Sequence, residues 1–158
     1  MPAFELSIAT TEFRGRMTER LRGGSQTPKV VWQDEGRRVV LHTDSLALRS
    51  LDGWLLINLD LETDQTKRKT IQIVFFTGRK SESDGVQAAC TINAQGPEAA
   101  QLADAWGREV QRVLWDAVLD GVEACVARVA SQVGNQPVTL GGFFSTPQSI
   151  VVSVLAGV

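Results

Sequence analysis

The spacing of apolar residues along the chain changes from a period of two to a helical period and back, which divides the sequence into strand and helix regions. Phe4, Leu6 and Ile8 alternate with Glu5, Ser7 and Ala9, predicting a strand with one buried face. Residues 14–29, RGRMTERLRGGSQTPK, are polar and carry five cations with Gly23, Gly24 and Pro28, so they read as a loop holding at most one helical turn. Val30, Val31 and Trp32 enter a second strand, Glu35 and Gly36 form a tight turn, and residues 38–43 leave as a third strand that residues 45–51 extend past a bulge.

The clearest alternation follows Gly53. Leu55, Ile57, Leu59 and Leu61 occupy one phase, and the chain returns through Ile71, Ile73 and Phe75. Apolar residues must oppose apolar ones across a half-buried hairpin, so Leu59 pairs with Ile71, Ile57 with Ile73, Leu55 with Phe75 and Asn58 with Gln72. This register sets Glu62 against Arg68 and requires a loop of odd length, most simply residues 64–66. A turn at residues 81–85 leads to a strand over residues 86–93.

Gly96 and Pro97 then open a helix, since the fixed φ of proline suits the first helical position, and Gly134 with Pro137 stops it. At 1.5 Å per residue the intervening segment of about 36 residues is roughly 55 Å long, against a radius of gyration near 15 Å for a domain of this size. The helix must overhang its domain or bend at Gly107 or Gly121. Residues 138–158 are apolar and β-branched and predict one or two further strands. The expected fold is α+β: an antiparallel sheet of about five or six strands packed on a long helix, with one or two further C-terminal strands, in a single domain spanning residues 1–158.

On a helical projection Leu102, Trp106, Val110, Val113, Leu114, Ala117, Gly121, Cys125 and Val129 share one arc, the expected core face. Trp115, Leu119, Val122 and Val126 lie on its flank. The C-terminal strands or the segment after Thr11 would cover them in one reading, and in the other they form a subunit interface anchored by Trp115.

Composition adds limits. With 158 residues, 43% hydrophobic and 22% charged, the chain has the make-up of an ordinary globular domain with one sizeable core. No signal-peptide pattern opens it and no apolar run reaches the roughly 20 residues that span a bilayer, so a cytoplasmic setting is expected. Cys90 and Cys125 lack metal or disulfide spacing and read as buried thiols. Residues 1–80 carry 13 Lys and Arg against 10 Asp and Glu, and residues 81–158 carry 3 against 8. That asymmetry is too small for a dedicated nucleic-acid binder.

Candidate chemistry is sparse. The single histidine, His42, stands two residues from Asp44, a spacing that can orient an imidazole, but no nucleophile motif accompanies it. Asp60, Glu62 and Asp64 form a row of carboxylates beside Lys67, Arg68 and Lys69, which reads as a solvated hairpin end and not as a metal site. Those three cations, with Arg14, Arg16, Arg20 and Arg22, are the candidate contacts for an anionic group or partner. No cofactor is implied.

These readings favour a non-enzymatic interaction or assembly module, adaptor- or chaperone-like, that self-associates as a homodimer or larger oligomer. The alternative is a domain binding a small hydrophobic ligand in a pocket between sheet and helix lined by Trp32, Trp54, Phe75 and Trp106, with His42 and Asp44 as its only enzymatic candidates.

Overall fold

The computed structural model of the chain describes residues 3–24, 29–77 and 89–157. In chain order the elements are β1 (Ala3–Ala9), α1 (Thr10–Arg22), β2 (Lys29–Asp34), β3 (Arg37–Leu51), β4 (Trp54–Thr63), β5 (Lys69–Phe76), β6 (Ala89–Ala94), α2 (Pro97–Gln132), β7 (Val138–Ser145) and β8 (Ser149–Ala156). The fold is α+β, with the long helix packed on antiparallel sheets. Strands β2 to β6 form a five-stranded meander in sequence order, and β1, β8 and β7 form a second sheet of three strands. The first strand and the C-terminal strands therefore do not join one large sheet. They pair with each other, Phe4 against Val154, Leu6 against Val152 and Ile8 against Ile150, so that β1 lays its apolar phase on that of β8.

The hairpin of β4 and β5 has the register that its apolar alternation requires, with Leu59 opposite Ile71, Ile57 opposite Ile73, Leu55 opposite Phe75 and Asn58 opposite Gln72. Its loop runs over residues 64–68, longer than the expected three residues but still odd in number. Glu35 and Gly36 both have positive φ, 50° and 79°, and join β2 to β3 as a two-residue turn whose twist matches that of the strands. Strand β3 continues past a bulge between His42 and Ala47. Ser45 closes that gap: its hydroxyl donates to the His42 carbonyl at 2.6 Å and accepts the Asp60 amide at 2.8 Å. The turn read at residues 81–85, the start of the strand after it, and the Cys90 side chain lie outside what is described.

Residues 14–22 are not a loop. They belong to α1, a helix of 13 residues that ends at Gly23 with φ 58°, its amide bonded back to the Arg20 and Glu19 carbonyls. Few of its residues are apolar, but Phe13, Met17 and Leu21 recur at helical spacing and are buried. The cations that disguised it are satisfied by other elements: Arg16 meets Asp120 of α2 at 3.2 Å, Arg20 meets Asp116 at 3.0 Å, and Arg14 Nε donates to the Leu46 carbonyl at 2.7 Å.

Helix α2 is continuous over 36 residues, through both Gly107 and Gly121. Its length is used, because it packs on β5 and β6 of one sheet, on β7 and β8 of the other, and on α1. Each glycine admits a close neighbour: a Cβ at Gly107 would stand 2.9 Å from Ile92 of β6, and one at Gly121 2.6 Å from the Phe13 ring of α1. The inner face of the large sheet, including Leu55, Ile57, Leu59, Leu61, Ile71, Ile73 and Phe75, is buried with Val110, Leu114, Val118 and Val122 of the helix in one core. Each such side chain contributes about 1.5–3 kcal/mol on burial. No helix among the described residues is long and apolar enough to cross a membrane.

The glycines of the two helices generate opposite expectations for the same substitution. Gly121→Ala gains about 1 kcal/mol of helix propensity but drives a methyl into the buried Phe13 ring, so it lowers stability by a net 1 to 2 kcal/mol, roughly. Gly15→Ala, on the exposed side of α1 with open space around it, raises stability by about 0.5–1 kcal/mol. Denaturant midpoints of the two variants check the pair.

Candidate functional site

The outer face of the five-stranded sheet grades from apolar to charged along its strands. Alternation puts Trp54, Leu56, Asn58, Asp60 and Glu62 on the side of β4 opposite the core residues. Cross-strand pairing then sets Leu51, Trp54 and Phe76 in one row, Arg49, Leu56 and Val74 in the next, Ala47, Asn58, Gln72 and Asn93 in a third, and His42, Asp60 and Thr70 in a fourth. At the apolar end Trp54 is 40% exposed and packs on Phe76 with ring centroids 4.9 Å apart. In the amide row Asn93 Nδ2 donates to Gln72 Oε1 at 3.1 Å.

At the charged end His42 is buried, 2% exposed, under two longer side chains. Its Nε2 lies 2.9 Å from Glu62 Oε1, and its Nδ1 lies 3.4 Å from a terminal nitrogen of Arg68. A carboxylate only accepts and a guanidinium only donates, so the imidazole is the Nε2–H tautomer, donating to Glu62 and accepting from Arg68. Arg68 Nε also donates to Asp60 at 2.6 Å, and another of its nitrogens stands 3.6 Å from Asp44. Burial pushes the Asp60 carboxyl upward, but hydrogen bonds from Thr70 and Arg68, with the Arg68 charge, hold it below the ordinary range.

The carboxylate that orients His42 is thus Glu62, and Asp44 pairs with Arg68 instead. Nor does Glu62 pair with Arg68 across the hairpin, as the register had suggested. Arg68 precedes β5 and reaches two residues along β4, to Asp60. Both ring nitrogens of His42 are engaged, an arrangement that fixes the ring and braces the bulge.

The remaining candidate residues are dispersed. Lys69 pairs with Glu98 at the start of α2 at 3.2 Å, Lys67 is exposed, and Arg22 lies in the last turn of α1. The basic residues of α1 and those of the hairpin do not converge on one group among the contacts described. On α2 Val122 is fully buried, and Trp115, Leu119 and Val126 are half-buried against the core. Trp115 stands between Phe75 of β5 and Phe143 of β7, so the C-terminal strands cover the flank that carries it. Trp32, Trp54, Phe75 and Trp106 do not share a cavity. Trp54 and Phe75 face opposite sides of the sheet, and Trp106 stacks under Arg37 at 5.0 Å, bordering a groove of about 270 Å³ that the other three do not line.

The outer-face residues Leu51, Leu56, Val74 and Phe76 escaped sequence reasoning. The signal was present in β4, whose first residues are apolar in both phases while its last are apolar in only one. No family model matches this sequence, and no curated protein matches it.

Two measurements follow from the charged end. In slightly alkaline solution the imidazole ¹⁵N shifts of His42, the sole histidine, report the Nε2–H tautomer, and Glu62→Ala redistributes it. Because Asp60 is held below its ordinary value of 3.8, its stabilisation is present above that value and is lost as pH falls through the folded value. Asp60→Asn therefore destabilises the protein at neutral pH, and the difference from wild type closes in denaturation curves recorded well below 3.8.

Proposed function

We propose that this chain is a non-enzymatic protein-interaction or assembly module, adaptor- or chaperone-like, that binds protein partners through the apolar end of its outer sheet face and self-associates. The observation that carries the reading is Trp54, which keeps 40% of its surface in water while packed on Phe76 beside Leu51, Leu56 and Val74. Leaving that surface wet forgoes about 25 cal/mol for each Å² that a partner would bury, and tryptophan in such a setting is the side chain most often found as a binding anchor. The amide row and the His42 cluster beside it supply the polar rim that a protein interface needs. A cytoplasmic setting suits the buried, unpaired Cys125. The ligand-pocket reading draws less from the geometry, because its aromatic residues are spread over both faces of the sheet.

A photo-crosslinking residue at position 54 is expected to capture partner proteins in an extract, whereas one at Glu123, on the exposed side of α2, does not. Trp54→Glu removes binding of the captured partner and costs about 1 kcal/mol of stability. Equal capture at both positions, or binding unchanged in Trp54→Glu, removes the basis for the reading.

A further inference from the structure

We infer that the free edge of β1 is the twofold interface of a homodimer, in which β1 pairs antiparallel with β1 of a second copy about an axis at Leu6. The inference rests on the self-association just proposed and names where it occurs. Among the described residues β1 has a strand neighbour on one side only, β8. Its seven residues pair with β8 without a register break, and they include no proline and no lysine. The opposite edge of the same sheet, β7, is interrupted by a bulge between Leu140 and Gly142 and flanked by Pro137 and Pro147. Natural sheets block unpaired edges with such devices; Pro2 precedes β1 as Pro137 precedes β7, but within Ala3–Ala9 β1 has no bulge and no blocking residue beyond Glu5.

One register pairs all seven residues of β1 with a second copy. An antiparallel twofold centred on Leu6 sets Leu6 against Leu6, Phe4 against Ile8, Glu5 against Ser7 and Ala3 against Ala9, keeping the two phases separate. Centring on Glu5 instead opposes two carboxylates. Phe4, at the uncovered end of the inner face and 36% exposed, gains the partner's Ile8 beside it in the Leu6 register. The two three-stranded sheets then run on as one sheet of six strands.

Position 7 reads the register, because it faces Glu5 of the other copy twice per dimer. Ser7 is exposed, so substitution there leaves the fold intact. Sedimentation velocity over a concentration series is expected to show a wild-type dimer, a dissociation constant raised about tenfold in Ser7→Glu by two like-charge contacts, and no weakening in Ser7→Lys. Melting curves recorded where each protein is monomeric coincide. A dimer indifferent to both substitutions, or weakened equally by both, overturns the β1 interface while self-association stands. A wild type that is monomeric throughout overturns both, leaving the partner binding at Trp54 to its own crosslinking test.

Discussion

Trp115 of α2 stands between Phe75 of the five-stranded sheet and Phe143 of the three-stranded one, with ring centroids 5.1 and 5.9 Å away, and the joining of the two sheets depends on this contact. Each tilted aromatic pair adds about 0.5–1.5 kcal/mol to the free energy of burial itself. The length of α2 follows from the same requirement. A helix spanning one sheet would leave the other's apolar phase in water, whereas 36 residues reach from Lys69 and Ile92 at one end to α1 and the three-stranded sheet at the other. Glycine at positions 107 and 121 brings the helix close enough for Ile92 and Phe13 to seat against its backbone.

Where the sheets meet edge to edge, the buried hydroxyls of Ser145 and Thr77 settle the polar groups, Thr77 Oγ1 accepting the Ser145 amide at 3.1 Å. Ser145 Oγ lies within hydrogen-bond distance of the Leu51 and Trp54 carbonyls, at 2.8 and 3.0 Å, and of Thr77 Oγ1 at 3.0 Å, while the Ser145 carbonyl accepts the Gly53 amide. The turn between β3 and β4 would otherwise bury unpaired backbone acceptors, each costing about 1–3 kcal/mol. Ser145 at one sheet junction and Ser45 in the β3 bulge solve the same problem: a short side chain replaces a missing ladder bond.

How far the sequence revealed this structure differs from element to element. The β4–β5 register was legible because burial of one face admits no slip, and the bounds of α2 were legible because proline and glycine mark them. Helix α1 was not, since its three buried residues are diluted by arginines whose partners, Asp116 and Asp120, lie some hundred residues on and become neighbours only in the fold. Alternation in β1 showed that one phase is buried but not against what, so the division into two sheets stayed hidden. At the candidate site, Trp54 was read as lining a pocket when its phase in β4 places it outside. Glu62 keeps its expected place opposite Arg68, but it accepts from His42 across to β3, while Arg68 reaches Asp60 and Asp44 instead.

The pairing of β1 with β8 sets an order of events during synthesis. Strands β2 to β6 each find their partner in the next strand made, so the large sheet assembles from local contacts. Strand β1 is made before the large sheet, yet the strand it pairs with is β8, made after it, and Arg16 and Arg20 of α1 wait for Asp120 and Asp116 of α2. Until then a seven-residue strand with one apolar phase and both edges open travels with the nascent chain. An incomplete chain therefore leaves the apolar phase of β1 without the strand that covers it, which favours premature association.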